Sequence, residues 1–207
     1  MMTASLARGL DRLLAGLRTL SSAGIWIGGG GLLVFSFAVL VEVLMRRFMN
    51  HSFAGLDELG GYMLAIVGAI AFTETLLHRG HIRIDVIHAR VGRRLQSALD
   101  VLAMLGVIVF FGTMLFYAQH LLGRSIGLQS RSISSLSVIL WVPQSIWFAG
   151  IALFVVTAMT LLARAIVALL LGDRATAVAL IGLRSAEEEL AEEVELTANA
   201  LGEEHRT

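Results

Sequence analysis

The sequence contains no cysteine and no lysine, a single proline (Pro143), and few charges, which make up 15% of its 207 residues. Without cysteine there are no disulfides, thiolate metal sites, iron–sulfur clusters or cysteine nucleophiles. Without lysine there is no Walker A loop, whose Lys holds the β/γ-phosphates, and no Schiff-base chemistry. The run Gly28–Gly31 is therefore not a nucleotide cradle. It is followed by Leu32–Leu33 rather than by Lys and Ser/Thr, and it reads as a small-residue face where helix backbones approach. The scarcity of charge, with 57% hydrophobic residues and a mean hydropathy of +0.79, excludes an ordinary soluble domain.

What is present instead is four long apolar runs, Ala23–Met45, Leu59–Leu77, Leu99–Leu122 and Val138–Leu162. At about 1.5 Å rise per residue, each is long enough to cross a hydrocarbon core of about 30 Å. The chain reads as an all-α, polytopic integral membrane protein with four transmembrane helices. A basic amphipathic segment, 1–21, precedes a transmembrane domain, 22–171, and an acidic helical tail, 172–207, follows. The first apolar run exceeds the about 7–15 residues of a signal-peptide core and lacks a small-residue cleavage site, so it is expected to remain as a span. In the basic segment Leu6, Leu10, Leu13, Leu14, Leu17 and Leu20 recur at helical spacing between arginines, a pattern suited to the membrane surface.

All sixteen cations of the Lys/Arg class are arginine, and their distribution predicts orientation. One side would carry Arg8, Arg12, Arg18, Arg79, Arg83, Arg90, Arg93, Arg94, Arg174 and Arg184. The other would carry Arg46, Arg47, Arg124 and Arg131. Both termini and the loop 78–95 are thus expected in the cytoplasm, and the loops around 48–57 and 123–137 outside. Arg164 is expected to snorkel at the inner interface. Pro143 is expected near the outer start of the fourth span, where a missing N–H costs little.

Carboxylates near membrane depth are functional candidates. Glu42 lies near the outer end of the first span, Asp57 and Glu58 at the outer start of the second, and Glu74 near its inner end. Asp57 and Glu58 suit a helix N-terminus, and Glu58 is also within reach of Arg46 or Arg47 across the short outer loop. Glu42 and Glu74 are the candidates for a coupling carboxylate. His78, His81 and His88 share one loop with Arg79, Arg83 and Asp85, where the guanidinium charges oppose cation binding. A membrane haem would need axial histidine pairs within spans, and only His120 lies near one. Ser125 and Ser130 have no histidine base at depth for serine proteolysis. No catalytic residue, metal, cofactor or nucleic-acid partner is expected.

The order of local elements carries a resemblance. Residues 42–50 (EVLMRRFMN) end the first span, Ser52–Phe53 follow, and Asp57, Glu58 and Leu59 open the second. His81, Arg83 and Asp85 alternate in the sequence HIRIDV before the third span, and Pro143–Ser145 open the fourth. This set, over roughly residues 22–165, resembles the small permease (Q) subunit of tripartite ATP-independent periplasmic (TRAP) transporters, of the dicarboxylate type. The chain departs from the family's habits at Phe48, where Tyr is common, and at Gly55, Leu56 and Gln144.

The resemblance implies a non-enzymatic subunit in a bacterial inner membrane. It would work with a large multi-span permease that holds the substrate and sodium sites, and with a periplasmic solute-binding protein that delivers a carboxylate. It also implies structural or interface roles for Arg46, Arg47, Asp57 and Glu58 outside. Inside, His81, Arg83 and Asp85 would order the loop, with membrane lipid as a further partner. Two other readings remain open on the residues alone. One is a self-sufficient proton-coupled carrier using Glu42 or Glu74; the other is the membrane anchor of a redox complex.

Overall fold

A computed structural model of the chain describes residues 2–80, 92–182 and 194. Five helices are present among them: α1 (Met2–Met49), α2 (Leu56–Leu77), α3 (Arg93–Gly127), α4 (Trp141–Leu170) and α5 (Arg174–Ile181). Four of these are long and apolar enough to cross a membrane, so the all-α, four-span architecture holds. Short connections place α1 to α4 up and down. One end of the bundle carries the loops 50–55 and 128–140, here called the hairpin end. The other, the terminal end, carries the N-terminal half of α1, the C-terminal end of α2 and α5.

The helices end where the backbone chemistry tells them to. Asn50 (φ 53°) closes α1 and Gly172 (φ 78°) closes α4, both in the left-handed region that Asn and Gly tolerate. At α4 the amide of Gly172 bonds to Leu169 O and that of Asp173 to Ala168 O, a Schellman closure. Asp173 then caps α5, its carboxylate accepting from the Thr176 amide (3.0 Å) and hydroxyl (2.6 Å). Pro143 sits in the first turn of α4, where its missing N–H has no intrahelical partner to lose.

Helix α4 is the hub, packing against all four other helices. Of its most apolar stretch 56% is buried, against 6% in α1 and 11% in α3. Its core face is small and tight: Ala158 and Ala165 are fully buried, and Phe154 is fully buried between Phe72 and Phe111. Gly150 permits close approach to α2, since a Cβ there would lie 2.8 Å from that of Ala69.

The α1–α2 seam uses the glycine run only in part. A Cβ at Gly24, Gly28 or Gly31 would meet Ile70 (2.8 Å), Val67 (3.0 Å) or Met63 (2.9 Å). Gly29 and Gly30 face open space. Close helix packing is therefore made by an i, i+4, i+7 stripe rather than by the whole run.

The terminal end shows two features beyond the sequence pattern. Helix α1 passes residue 21 without a break, so its 48 residues extend about 72 Å. Leu14 and Leu17 of the periodic set are buried, whereas Leu6, Leu13 and Leu20 are exposed. Leu14 belongs to the same core cluster as Leu161, Ala165 and Ile181. The periodicity thus serves protein packing as well as an outward apolar face. Arg164, expected to snorkel, instead donates from Nε to the Asp11 carboxylate at 2.7 Å, with only 15% of its side chain exposed. A partly exposed carboxylate on α1 thus partners the guanidinium.

Candidate functional site

At the hairpin end two carboxylates organise the loops. Glu42 is 5% exposed. One of its oxygens accepts from Arg46 Nη2 at 2.8 Å, one helical turn on, and the other from the Ser52 hydroxyl at 2.8 Å. It thereby ties the end of α1 to the start of the following loop. Glu58 accepts from the Tyr62 hydroxyl at 2.5 Å, one turn along α2, and from the Ser134 hydroxyl in the 128–140 loop.

The expected pairing of Glu58 with Arg46 or Arg47 is therefore not formed. Arg46 takes the nearer acid on its own helix, since an i, i+4 pair forms without ordering a loop. Arg47 and Asp57 are exposed and make no hydrogen bond or ion pair among the described residues. Asp57 lies in the first turn of α2, where negative charge is favoured.

The 128–140 loop is a built element rather than a slack connection. Arg131 and Ile139 form an antiparallel bridge. The Ser132 amide bonds to Val138 O (2.9 Å), the Leu140 amide to Ser130 O (3.0 Å) and Arg131 Nη1 to Ser137 O (3.1 Å). The Ser132 and Ser134 hydroxyls are 3.0 Å apart, and the Val138 amide donates to Ser132 Oγ. Serine hydroxyls thus replace the ladder that so short a hairpin lacks. Leu136 closes against Gly55, which is left-handed (φ 92°) and has no room for a Cβ. The two loops form one surface, from which Ile133 projects fully exposed.

At the terminal end Glu74 plays the matching part. One oxygen accepts from the Ser21 hydroxyl of α1 at 2.6 Å, and the other is 3.2 Å from His78 Nε2. Beside it lies a cleft of about 340 Å³ lined by Arg18, Ser22, Glu74, Leu77, His78, Arg79 and Ala179. Arg79 Nη1 reaches Val178 O of α5 at 3.5 Å. Asp173, outside the spans, is held below the usual carboxylate range, first by the Thr176 hydroxyl and then by the Thr176 amide.

His81, Arg83 and Asp85 fall outside the described residues. Of the loop histidines, only His78 lies within them. No three His, Asp or Glu side chains converge among the described residues.

Sequence reasoning singled out Glu42, Glu58 and Glu74, and placed Ser52 only in the family pattern, but missed Ser21, Tyr62, Ser132 and Ser134, which complete their shells. The i, i+4 spacings Glu42–Arg46, Glu58–Tyr62 and Glu74–His78 were signals present in the sequence. The serines carried none, since a hydroxyl 76 residues away from Glu58 has no periodicity to reveal it. Asp11, the acid among the arginines of α1, and Asp100, buried near the start of α3, were also passed over.

Each of the three carboxylates is held by side chains of the same chain, near a helix end, and each fixes the junction of two segments. No curated protein matches the chain. A family model described as "Tripartite ATP-independent periplasmic transporters, DctQ component" matches residues 35–168, nearly two thirds of the sequence, from the last third of α1 through α2 and α3 to the end of α4. The chain belongs to the DctQ family, the small membrane subunit of TRAP transporters.

Proposed function

We propose that this chain is the supporting subunit of an ion-gradient-driven importer of a carboxylate solute in a bacterial inner membrane. Sodium coupling and the solute path would reside in a large multi-span permease, and this chain would hold that permease's scaffold in place. The observation that carries the reading is the placement and pairing of the span carboxylates. Glu42, Glu58 and Glu74 all lie within about two turns of a helix end and are bonded to neighbours of their own chain. A carrier working alone would need a titrating group near the midplane, free to exchange its partner. This pattern supports a structural role over the proton-carrier alternative for Glu42 and Glu74.

The arginine distribution supports a cytoplasmic terminal end and a periplasmic hairpin end. On that orientation, the braced surface of loops 50–55 and 128–140 would offer part of the docking site for a periplasmic solute-binding protein. Arg47, Asp57 and Ile133 are the side chains there with contacts to give. The exposed row Trp26, Ile27, Leu33 and Phe37 of α1, with Gly29 and Gly30 open beside it, would meet lipid or the large permease. Without a hydrophobic drive between helices in lipid, such packing depends on close approach at small residues.

Uptake in liposomes tests the proposal. The large permease and binding protein should transport only when this chain is present. Arg47→Glu should lower uptake at limiting binding protein by about tenfold and leave it near normal at saturation. Full uptake without this chain would refute the supporting role. Transport by this chain alone would favour the carrier reading.

A further inference from the structure

The cleft at the terminal end is not needed by the supporting role, and its chemistry is specific. It lies between α1, the end of α2 and α5, and its volume of about 340 Å³ is at the low end of the range for small-ligand sites. Two guanidinium groups, Arg18 and Arg79, line it, with the hydroxyl of Ser22 and the imidazole of His78. The opposing carboxylate, Glu74, already accepts bonds on both oxygens. Arg18 makes no hydrogen bond or ion pair among the described residues. The C-terminal end of α2 adds about half a negative charge, which two guanidiniums outweigh.

The position of Arg79 adds to this. It follows the C-cap His78 with φ 56°, its amide bonded to Leu76 O and that of Gly80 to Thr75 O. This is the Schellman site where glycine fits without steric cost. Here arginine occupies the left-handed position and glycine comes one residue later.

Depth and direction point to the ligand. The apolar run of α2 ends at Leu77 and that of α1 begins at Ala23, which would set both arginines near the level of a membrane's phosphate layer. Ser22 and Trp26 lie one and two turns beyond Arg18 on the same side of α1. Trp26 is 80% exposed, as suits an indole at the interface. Gly29, a turn further, leaves open space. A cation, a hydroxyl, an interfacial indole and a shallow groove thus follow one another from the headgroup level into the hydrocarbon.

We infer that this cleft binds the phosphate of an acidic phospholipid, with Arg18 and Arg79 as the charge partners and an acyl chain lying along α1 past Trp26. The arginines supply charge-assisted, bidentate donors suited to a phosphodiester. Glu74, whose oxygens are taken up by Ser21 and His78, would lower the affinity.

Native mass spectrometry of the full chain in mild detergent tests this. The chain would be titrated with phosphatidylglycerol and with phosphatidylcholine of the same acyl chains, and its melting would be followed with inorganic phosphate. Phosphatidylglycerol should bind at least several-fold more tightly than phosphatidylcholine. Arg18→Gln with Arg79→Gln should weaken it by about tenfold or more, whereas Arg12→Gln should leave it unchanged. Should the pair disturb the α2–α5 contact, Arg18→Gln alone carries the test, because it breaks no bond among the described residues. Glu74→Gln should bind as tightly or more tightly. Trp26→Ala should weaken the lipid but not phosphate. Unchanged binding in the folded arginine variants, or loss of binding in Glu74→Gln with its fold intact, would overturn the site. Protection by inorganic phosphate alone, with nothing added by phosphatidylglycerol, would overturn the lipid assignment.

Discussion

Glu58 shows how a single acid sets the shape of a surface. Its bonds from Tyr62 and Ser134 join α2 to a loop more than seventy residues away, which also closes through Leu136 on Gly55. Glu58→Ala should leave the helices intact and raise amide hydrogen exchange across 130–139 by tenfold or more, with Ser134→Ala giving a smaller effect in the same segment. Unchanged exchange in Glu58→Ala would remove Glu58 as the brace.

Asp173 acts at the other end. Its pKa is depressed in the folded state by the Thr176 hydroxyl and amide. Its contribution is therefore complete above the pKa of an unfolded aspartate and is lost as pH falls through the lower, folded value. Exchange of the α5 amides at 176–181 should rise in that acid window, and Asp173→Asn should flatten the response. Residues such as Asp173, placed between an apolar helix end and a Thr three positions on, are legible in sequence as caps. Ser132 and Ser134 are not, because nothing in a serine-rich loop says which hydroxyl will meet which acid.

At the scale of the helices, lipid changes which residues matter. Apolar side chains gain little from leaving lipid for protein, so shape governs the seams. Gly28→Leu should drive Val67 away from α1 and cost about 1–3 kcal/mol in the isolated chain, whereas Gly29→Leu, facing open space, should be neutral or slightly stabilising in the helix. Thermal unfolding in detergent distinguishes them, and equal effects would contradict the α1–α2 seam.

The four spans were readable from hydropathy alone, yet their ends were not. Helix α3 continues to Gly127, beyond the apolar run that ends at Leu122, because amphipathic turns extend past the hydrocarbon. The fourth helix begins at Trp141 rather than Val138 because the amide and carbonyl of Val138 and the amide of Leu140 serve the hairpin. The glycine run told of close packing, but only the three-dimensional register assigns it to Gly24, Gly28 and Gly31. Arg164 looked like an interfacial cation because its partner, Asp11, stands 153 residues away.

The whole molecule is one hub helix, α4, with α1, α2, α3 and α5 packed around it. Its buried helix is satisfied, while α1 and α3 leave long apolar rows exposed, including Phe37, Val109 and Phe110. A membrane explains that exposure in general, and membership of the DctQ family places the chain within a transporter of more than one component. We propose this bundle as a support for a larger permease and not as a carrier. Affinity purification of the chain from its native membrane in mild detergent, with mass spectrometry of what accompanies it, tests that claim most directly. A large multi-span permease should accompany it in near-equal amount and be retained through washing. Recovery of this chain alone, as a stable assembly that transports solute in liposomes, would contradict it.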